Sequence, residues 1–244
     1  MRAVPLTKLL LRGLSFSTLL ACTQSSAAAP PKPRAETSAE RSKTSRAKSE
    51  RRIPSGEAKK EAEPSSALSD SFALEARGDL RGALRAGATA ADERPERYFP
   101  RLRVAFLELS LKDYAAAARD YARAAALAPK AIEPLLGQQQ ALVLLARYKD
   151  AEPLGRELLN RDPHSYLASS RHAWTLYNLK RYDAAARLYF EILTLYPGDV
   201  EMMVGLGYSQ LYAGRKRDAA QTFRQILDMV PRKPRALSGL AACR

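Results

Sequence analysis

Side chains that could carry out catalysis are few in this sequence and lie far apart. The histidines are His164 and His172, and the cysteines are Cys22 and Cys243. A Cys/His metal site needs ligands at short, regular spacing, and two distant cysteines define no disulfide framework. The sequence has no glycine-rich phosphate loop and no nucleophile motif. We therefore predict that the protein is not an enzyme and has no cofactor, no metal and no small-molecule substrate.

Cys22 is the thiol whose neighbours predict a modification. It follows a basic start, an apolar run and a short final motif, namely Arg2 and Lys8, Leu9–Leu20, and Leu19-Leu20-Ala21. This stretch resembles the signal peptide of bacterial lipoproteins, which is cut before a cysteine that is then acylated. The resemblance implies a signal peptide at residues 1–21, acyl chains such as palmitate on Cys22, and anchoring to a membrane of the cell envelope. Because Thr23 and not Asp follows the cysteine, the resemblance favours the outer membrane, facing the periplasm.

Two alternatives for the amino terminus stay open. A secretory signal would be cut after Ala27-Ala28-Ala29, although Pro30 directly follows that site. If the lipoprotein motif is misread, the protein is a cytoplasmic adaptor with an uncleaved tail. The apolar run itself is too short to span a membrane, which takes about 20 apolar residues.

Residues 22–63 have the composition of a disordered basic linker. They are rich in Ser, Ala, Pro, Lys, Arg and Glu, and Ile53 is their one large apolar side chain. Such a segment buries too little apolar surface to offset the entropy of ordering. We predict that it tethers the folded part to the lipidated Cys22.

The positive charge is spread along the chain. The net charge is +14, divided as +3, +4 and +7 over residues 1–22, 23–63 and 64–244. A nucleic-acid-binding protein usually concentrates its charge on one face. The distribution therefore predicts a solvated basic surface and no nucleic-acid partner.

A period of about 34 residues, a length typical of helical repeat arrays, organises the rest of the chain. Proline recurs at this spacing, as Pro95, Pro129, Pro163, Pro197 and Pro231. Alanine stands at one fixed distance before each proline, as Ala83, Ala117, Ala151, Ala185 and Ala219. Between the alanine and the proline, three units have an aromatic residue at the same position: Tyr121, Tyr189 and Phe223. The other two units have Gly87 and Gly155 there. The small residues let helices approach, the rings fill the gaps between them, and the prolines end helices. Together these columns predict pairs of packed helices.

These columns resemble the tetratricopeptide repeat, with the pattern W-x2-L-G-x2-Y, then A-x3-F, then P. The matching pairs are Leu206-Gly207 and His172-Ala173 at the Leu-Gly positions, and Ala185/Tyr189 and Ala219/Phe223 at the A-x3-F positions. Gly87 and Gly155 depart from the pattern, as does the absence of Trp at the first position. The resemblance implies an all-α, right-handed α-solenoid over residues 64–244. It comprises about five helix-turn-helix units, at residues 64–97, 98–131, 132–165, 166–199 and 200–233, and a capping helix at 234–243.

In this family the first helices line a concave groove that holds a protein or peptide segment. Carried over position by position, the resemblance predicts a partner-binding groove formed by Phe72, Leu102, Phe106, Gln140, Ser170, Arg171, Trp174, Tyr177, Asn178, Val204, Tyr208 and Tyr212. Arg171 is placed to pair with an acidic side chain or a C-terminal carboxylate of the ligand. The alternative that these rings pack between repeats stays open. His172 is predicted to be a partly buried structural residue.

The sequence thus predicts a non-catalytic protein–protein interaction scaffold carried on a lipid anchor. Similar repeat-containing lipoproteins suggest that it assists assembly of an outer-membrane pilus or secretion complex, an analogy from architecture and location alone. An adaptor for peptidoglycan enzymes in the periplasm is the alternative, as is the cytoplasmic adaptor already named.

Overall fold

The structure, a computed structural model, describes residues 66–244. Within this range the chain forms eleven α-helices and no strand: α1 Ser66–Ala76, α2 Leu80–Glu93, α3 Tyr98–Ser110, α4 Tyr114–Leu127, α5 Glu133–Leu144, α6 Tyr148–Arg161, α7 Tyr166–Asn178, α8 Tyr182–Leu195, α9 Val200–Tyr212, α10 Lys216–Met229 and α11 Pro234–Ala242. The predicted signal peptide, Cys22 and the predicted linker lie outside the described residues. None of the described helices is long and apolar enough to cross a membrane.

Each helix packs against the next one along the chain, so that the odd-numbered helices are the first helices of successive units. The second helices begin one period apart, at Leu80, Tyr114, Tyr148, Tyr182 and Lys216. Each unit buries its apolar face against its neighbours, as repeat proteins do. The predicted all-α solenoid is confirmed, including the final single helix α11.

A left-handed residue follows the end of each first helix from α1 to α9. These residues recur with the same period, at Gly78, Lys112, Ala146, Lys180 and Gly214, with φ between 56° and 82°. The next residue then donates its backbone N–H to a carbonyl five positions back, as Arg147 does to Leu142 at 2.9 Å. This arrangement satisfies carbonyls at the helix end and reverses the chain into the second helix.

The periodic alanines lie inside the packed helix pairs. All five members of the column, from Ala83 to Ala219, are fully buried. Side chains larger than a methyl group would separate the helices at these points. Each second helix ends shortly before its periodic proline, with one residue between them, because the residue before a proline disfavours the helical conformation.

The rings of the aromatic column pack on glycines of the next unit. Tyr121 covers Gly137, Tyr189 covers Gly205 and Phe223 covers Gly239, and a Cβ added at any of these glycines would overlap the ring. In all three pairs the glycine follows its ring at the same distance along the chain. The ring and the glycine therefore form one complementary contact between neighbouring units.

At Gly87 and Gly155 the sequence pattern lacks a ring, and the equivalent of the covered glycine in the next unit is an arginine, Arg103 or Arg171. The Cγ atom of Arg103 lies 3.7 Å from the position that a Cβ on Gly87 would occupy. His172 and Gln139 occupy the space next to Gly155. At both departures from the repeat pattern, the ring is missing from one unit, and a large polar side chain replaces the glycine of the next unit.

Candidate functional site

The first helices of successive units contact one another more than the second helices do, which is the arrangement expected on the inner side of a curved stack. From α3 onward the first helices of successive units contact one another, from α3 with α5 to α9 with α11. Among the described helices, the second helices of successive units make no comparable contacts. Side chains on the free face of the first helices therefore share one inner surface, which is where the sequence predicts the groove.

Phenylalanines from α1 and α3 remain exposed on this surface. Phe72 and Phe106 are each 43% exposed, and Phe99 is 48% exposed and stacks on Phe72 with ring centroids 6.3 Å apart. Together with Leu102, Arg103, Tyr121 and Glu133 they line a cavity of about 280 Å³. We call this cavity the phenylalanine pocket. Its volume is at the small end for ligand sites, so it fits a single large side chain.

Arg103 is held at the wall of the phenylalanine pocket by a network with α1. Its guanidinium donates to the hydroxyl and carbonyl oxygens of Ser71, both at 3.1 Å, and forms an ion pair with Glu75 at 2.5 Å. It also lies over the ring of Phe72 at 4.0 Å from the centroid. A buried cation is tolerated when it is paired and hydrogen-bonded in this way.

The C-terminal half of the inner surface carries a continuous group of rings, which we call the aromatic cluster: Trp174, Tyr177, Tyr182, Tyr208 and Tyr212. Trp174 stacks on Tyr177 at 5.6 Å, and Tyr177 meets Tyr182 and Tyr212 edge to face at 5.6 and 6.0 Å. Tyr212, which is 44% exposed, also stacks on Tyr182 and Tyr208 at 5.4 and 6.3 Å. Such rings offer large contact areas that lose little entropy on binding.

Tyr208 joins the aromatic cluster to the core. Its hydroxyl donates to the carbonyl of Arg235 at 2.9 Å, and the Arg235 guanidinium lies 5.7 Å from its ring centroid. On its other side it meets the buried Phe223 edge to face at 5.2 Å. Burial raises the pKa of Tyr208 and of Tyr177 above their usual value. The rings of this surface therefore differ in packing: Tyr208 contacts the core, whereas Tyr212 is open.

Arg171 lies between the two ring-rich regions. Its guanidinium donates to the carbonyl of Leu136 at 3.1 Å and to the side-chain oxygen of Gln140 at 2.8 Å. Burial lowers the pKa of Arg171 to about 10, and Tyr121, which lines the phenylalanine pocket, opposes that shift through its charge. The arginine is therefore close to Tyr121 and is held mainly by neutral acceptors.

Three of the predicted groove residues present little side chain to a partner. Val204 is 0% exposed, and Ser170 is buried, with its hydroxyl donating to the carbonyl of Leu167 at 3.3 Å. Asn178 is partly exposed, but its amide donates to the carbonyl of Trp174 at 2.8 Å. The structure brings Phe72, Leu102 and Phe106 together in one region and Trp174, Tyr177, Tyr208 and Tyr212 in another.

The sequence-based prediction did not include five residues that line the phenylalanine pocket or belong to the aromatic cluster: Phe99, Arg103, Tyr121, Glu133 and Tyr182. Phe99 and Glu133 occupy the second position of their units, a groove position in the resembling family that the prediction did not carry over. Arg103 could have been found from the repeat pattern, because it stands one repeat before Gly137, at the position where other units have the glycine covered by a ring. Tyr121 and Tyr182 come from second helices, so no pattern of first-helix positions indicates them.

A second cavity, of about 390 Å³, lies between the units that contain α6 and α8. Its wall is mostly apolar, with Leu159, Leu188, Ile192 and Tyr196 among the lining residues and His164 and Glu191 as titratable groups. None of the predicted groove residues lines it. Within residues 66–244 no group of three or more His, Cys, Asp or Glu side chains could hold a metal ion.

Comparisons with known proteins support the fold. No protein-family model matches the sequence, and no curated protein matches it. The solved structure of YrrB, described as a TPR protein with an unusual peptide-binding site, has a TM-score of 0.66 at 16% identity, covering 70% of this chain and 89% of YrrB. A tetratricopeptide repeat protein from Parabacteroides merdae gives 0.65 at 18% identity over 72% of this chain and 70% of its own. MamA gives 0.63 at 15% identity over 66% and 88%.

At sequence identities this low, the structural match concerns the backbone fold and not the ligand. The period, the left-handed turns and the paired helices agree with the fold of the solved neighbours. Residues 66–244 therefore have the tetratricopeptide repeat fold.

Proposed function

We propose that the protein is a non-catalytic scaffold that binds a segment of another protein along its inner surface. The observation that carries the proposal is the exposure of large rings from several first helices on that one surface, with Phe72, Phe106 and Tyr212 each more than 40% exposed. Exposed apolar patches of this kind mark interaction sites, and aromatic residues dominate their binding energy. YrrB, which shares the fold, is itself described as having a peptide-binding site.

Site-specific photo-crosslinking tests where the partner binds. A photoreactive phenylalanine analogue placed at Phe106 or Tyr212 is expected to capture a protein partner in cells. The control position is Phe190, which is 61% exposed on second helix α8 and lies outside the phenylalanine pocket and the aromatic cluster. Capture from Phe190 alone, or equal capture from all three positions, would contradict binding on the inner surface.

Trp174→Ala tests the energetic role of the aromatic cluster. The side chain is partly exposed and stacks on Tyr177, so we expect its loss to weaken partner binding by about 2 kcal/mol, or roughly 30-fold in Kd. The melting temperature should stay close to that of the wild type. A variant that binds normally but melts at a clearly lower temperature would show that the ring is structural.

We further propose that the scaffold is anchored to the bacterial envelope through Cys22. The support is the sequence motif, since this residue lies outside the described range. Mass spectrometry of the protein from membranes is expected to show a mature chain that begins at an acylated Cys22. A chain that retains Met1 and an unmodified Cys22 would favour the cytoplasmic adaptor.

A role in assembling an outer-membrane pilus or secretion complex is the biological setting that we propose, with an adaptor for peptidoglycan enzymes as the alternative. Co-purification from native membranes separates the two. A secretin or pilus component retained by the wild type and lost in Trp174→Ala supports the first, whereas a cell-wall hydrolase supports the second.

A further inference from the structure

An arginine at the end of α6 fills the junction between its unit and the preceding turn. The guanidinium of Arg161 donates to the carbonyl of Pro129 at 2.9 Å and to that of Ala131 at 3.5 Å. It also forms an ion pair with Glu157, one helical turn before it. One repeat later, the residue in the place of Arg161 is Leu195, at the end of α8.

The groups that bind Arg161 recur one repeat later without an arginine between them. The carboxylate is that of Glu191, and the carbonyls are those of Pro163 and Ser165. The turn also keeps its backbone hydrogen bond, which the N–H of Ser165 donates to the carbonyl of Asp162 at 3.2 Å and which measures 2.9 Å in the turn one repeat earlier. The fourth unit therefore has the acceptors of an arginine site, but its own side chain there is apolar.

This combination occurs in one unit of the five. At the position of the carboxylate the units have, in order, Thr89, Arg123, Glu157, Glu191 and Gln225. At the position of the arginine they have Glu93, Leu127, Arg161, Leu195 and Met229. The fourth unit alone has the acid without the arginine, and Glu191 forms no ion pair with any residue that the structure describes.

The cavity of about 390 Å³ lies at this place, and we call it the α6–α8 pocket. Glu191, Pro163 and Leu195 are among its lining residues, and the exposed ring of Tyr196 also lines it. The rest of the wall is mostly apolar. An arginine side chain matches this surface along its whole length, because its aliphatic stem packs on apolar walls while its guanidinium pairs with oxygens and stacks on rings.

We propose that the α6–α8 pocket binds an arginine side chain of a partner protein, whose guanidinium pairs with Glu191 and donates to the carbonyls of Pro163 and Ser165. The site goes beyond the proposed function, because none of the predicted groove residues lines it. The chain's own Arg161 is the template for the bound group. A second copy of this chain is disfavoured as the partner, because each copy carries a net charge of +14 and the two repel each other.

Subtractive peptide selection with the full-length chain tests the proposal. A phage library of random peptides is first depleted on Leu195→Arg, whose new side chain can occupy the pocket, and is then selected on the wild type. Peptides that survive this depletion should be enriched in arginine. Leu195 is 53% exposed, so the variant is expected to fold, and thermal melting checks this.

Met229→Arg is the matched control for the depletion step. Met229 stands one repeat after Leu195, is similarly exposed at 50%, and lies one helical turn after Gln225 instead of an acid. The variant carries the same added charge but keeps the α6–α8 pocket open. Depletion on Met229→Arg should therefore remove the arginine-containing peptides.

Synthetic forms of the surviving peptides measure what the guanidinium contributes. Fluorescence anisotropy should show that the arginine peptide binds the wild type at least about tenfold more tightly than the same peptide with citrulline, which has a similar shape and no charge. Glu191→Gln should reduce this ratio to within about threefold. Asp228→Asn, which removes an exposed acid of α10 that forms no ion pair in the described structure, should keep the full ratio.

A photoreactive group at Tyr196 in the purified full-length chain tests the other sources of an arginine. Crosslinks to a second copy, or to residues 22–63 of the same chain, would overturn the assignment to a partner protein. Surviving peptides without arginine, no surviving peptides, or equal binding of the citrulline peptide would overturn the arginine site itself. Crosslinking from Phe106 and Tyr212 tests the proposed function on a different surface, so each proposal can fail without the other.

Discussion

His172 is a polar side chain at a position where the repeat pattern has leucine. It is buried, packs next to Gly155 and Gln139, and its Nδ1 atom has no hydrogen-bond partner in the described structure. Burial lowers the pKa of His172, and Arg156 and Arg181 lower it further, while Glu152 acts in the opposite direction. The native state therefore holds the imidazole in its neutral form, which agrees with a structural place for this residue.

His172→Leu is expected to increase stability, and by more at low pH. The unfolded chain takes up a proton as the pH falls through about 6.5, whereas the native state takes it up only at lower pH, so native stability decreases on acidification. The variant has no imidazole to protonate, so it keeps its stability at low pH. It also removes a buried nitrogen without a hydrogen-bond partner, which should raise its free energy of unfolding by about 1 kcal/mol at pH 7.5. Urea unfolding at pH 7.5 and 5.5 measures both effects.

His164→Ala is the control, because His164 is exposed in a loop. Between the two pH values, His172→Leu should change its stability difference from the wild type by more than His164→Ala does. If the two variants change by the same amount, burial does not hold the imidazole of His172 neutral.

Glu108 presents the opposite case at the end of α3. Burial raises the pKa of Glu108 to about 7, and the neighbouring carboxylates Asp120 and Asp113 raise it as well. One of its oxygens is buried without a hydrogen-bond partner in the described structure. The native state thus prefers the protonated carboxyl, and the ionised form destabilises it.

Glu108→Gln is expected to stabilise the fold at high pH. The unfolded carboxyl ionises above about pH 4.5 and the native one only near 7, so the wild type loses stability as the pH rises through this window. By pH 8 the variant should be more stable than the wild type by about 1 kcal/mol, a value reduced for solvent screening of a partly exposed group. At pH 4 the gain should disappear. Thermal melting across this range makes the measurement, and a gain that is equal at both ends would exclude ionisation of Glu108 as its cause.

At the scale of the elements, the contact between a ring and a glycine sets how closely successive units stack. Tyr121 on Gly137, Tyr189 on Gly205 and Phe223 on Gly239 repeat the same contact along the stack. The glycine is needed there for space, since its backbone is ordinary helix. A methyl group would have to displace an aromatic ring that is itself almost completely buried.

Gly137→Ala should therefore be destabilising although alanine is the better helix former. Overlap with the ring of Tyr121, 2.2 Å from the added Cβ, is expected to cost an amount in the upper part of the range of about 1–3 kcal/mol, which exceeds the gain of roughly 1 kcal/mol in helix propensity. Gly198→Ala is the matched control, because nothing lies within 4 Å of its added Cβ and its φ is not positive. Urea unfolding should leave Gly198→Ala close to the wild type. Equal effects of the two substitutions would contradict the ring–glycine contact.

The helices were predictable because their signals are local and repeated. Buried alanines, terminal prolines and the constant repeat length come from each unit's own sequence. Lys112, Ala146 and Lys180 were harder, because nothing in their type indicates the left-handed turn that they adopt. Only their equivalence to Gly78 and Gly214 reveals it. The exchange of a ring for an arginine at Gly87 and Gly155 likewise depends on a contact between units.

The inner surface was predictable in position but less so in accessibility. Family positions in the first helices selected Phe72, Phe106 and Tyr212, whose rings are exposed, but also the fully buried Val204. Exposure depends on how closely the next unit packs, which one unit's sequence does not specify. Residues that second helices contribute to this surface, such as Tyr182, follow from the packing between units.

For the whole molecule, the repeat architecture makes stability a property of each unit and its neighbours. The second helix of the first unit, α2, buries only glycine and alanine, whereas α8 buries Tyr189 and Ile192 and α10 buries Phe223 and Ile226. Large apolar side chains contribute most of the burial free energy. The polar network of Arg103 with Ser71 and Glu75 joins α1 to α3, beside the stacking of Phe72 on Phe99.

The stack should therefore open from its first unit. In a linear array each unit is stabilised mainly by its neighbours, so the unit with the smallest apolar core at an end opens at the lowest free energy. Hydrogen–deuterium exchange should show peptides from α1 and α2 exchanging at least about tenfold faster than those from α8 and α9, a difference of roughly 1.4 kcal/mol in opening free energy. Glu75→Gln, which weakens the ion pair of Arg103, should speed exchange in α1 and α2 further and leave α8 and α9 unchanged. Uniform protection along the stack, or an effect of Glu75→Gln that spreads to α8, would show that the array unfolds as one cooperative unit.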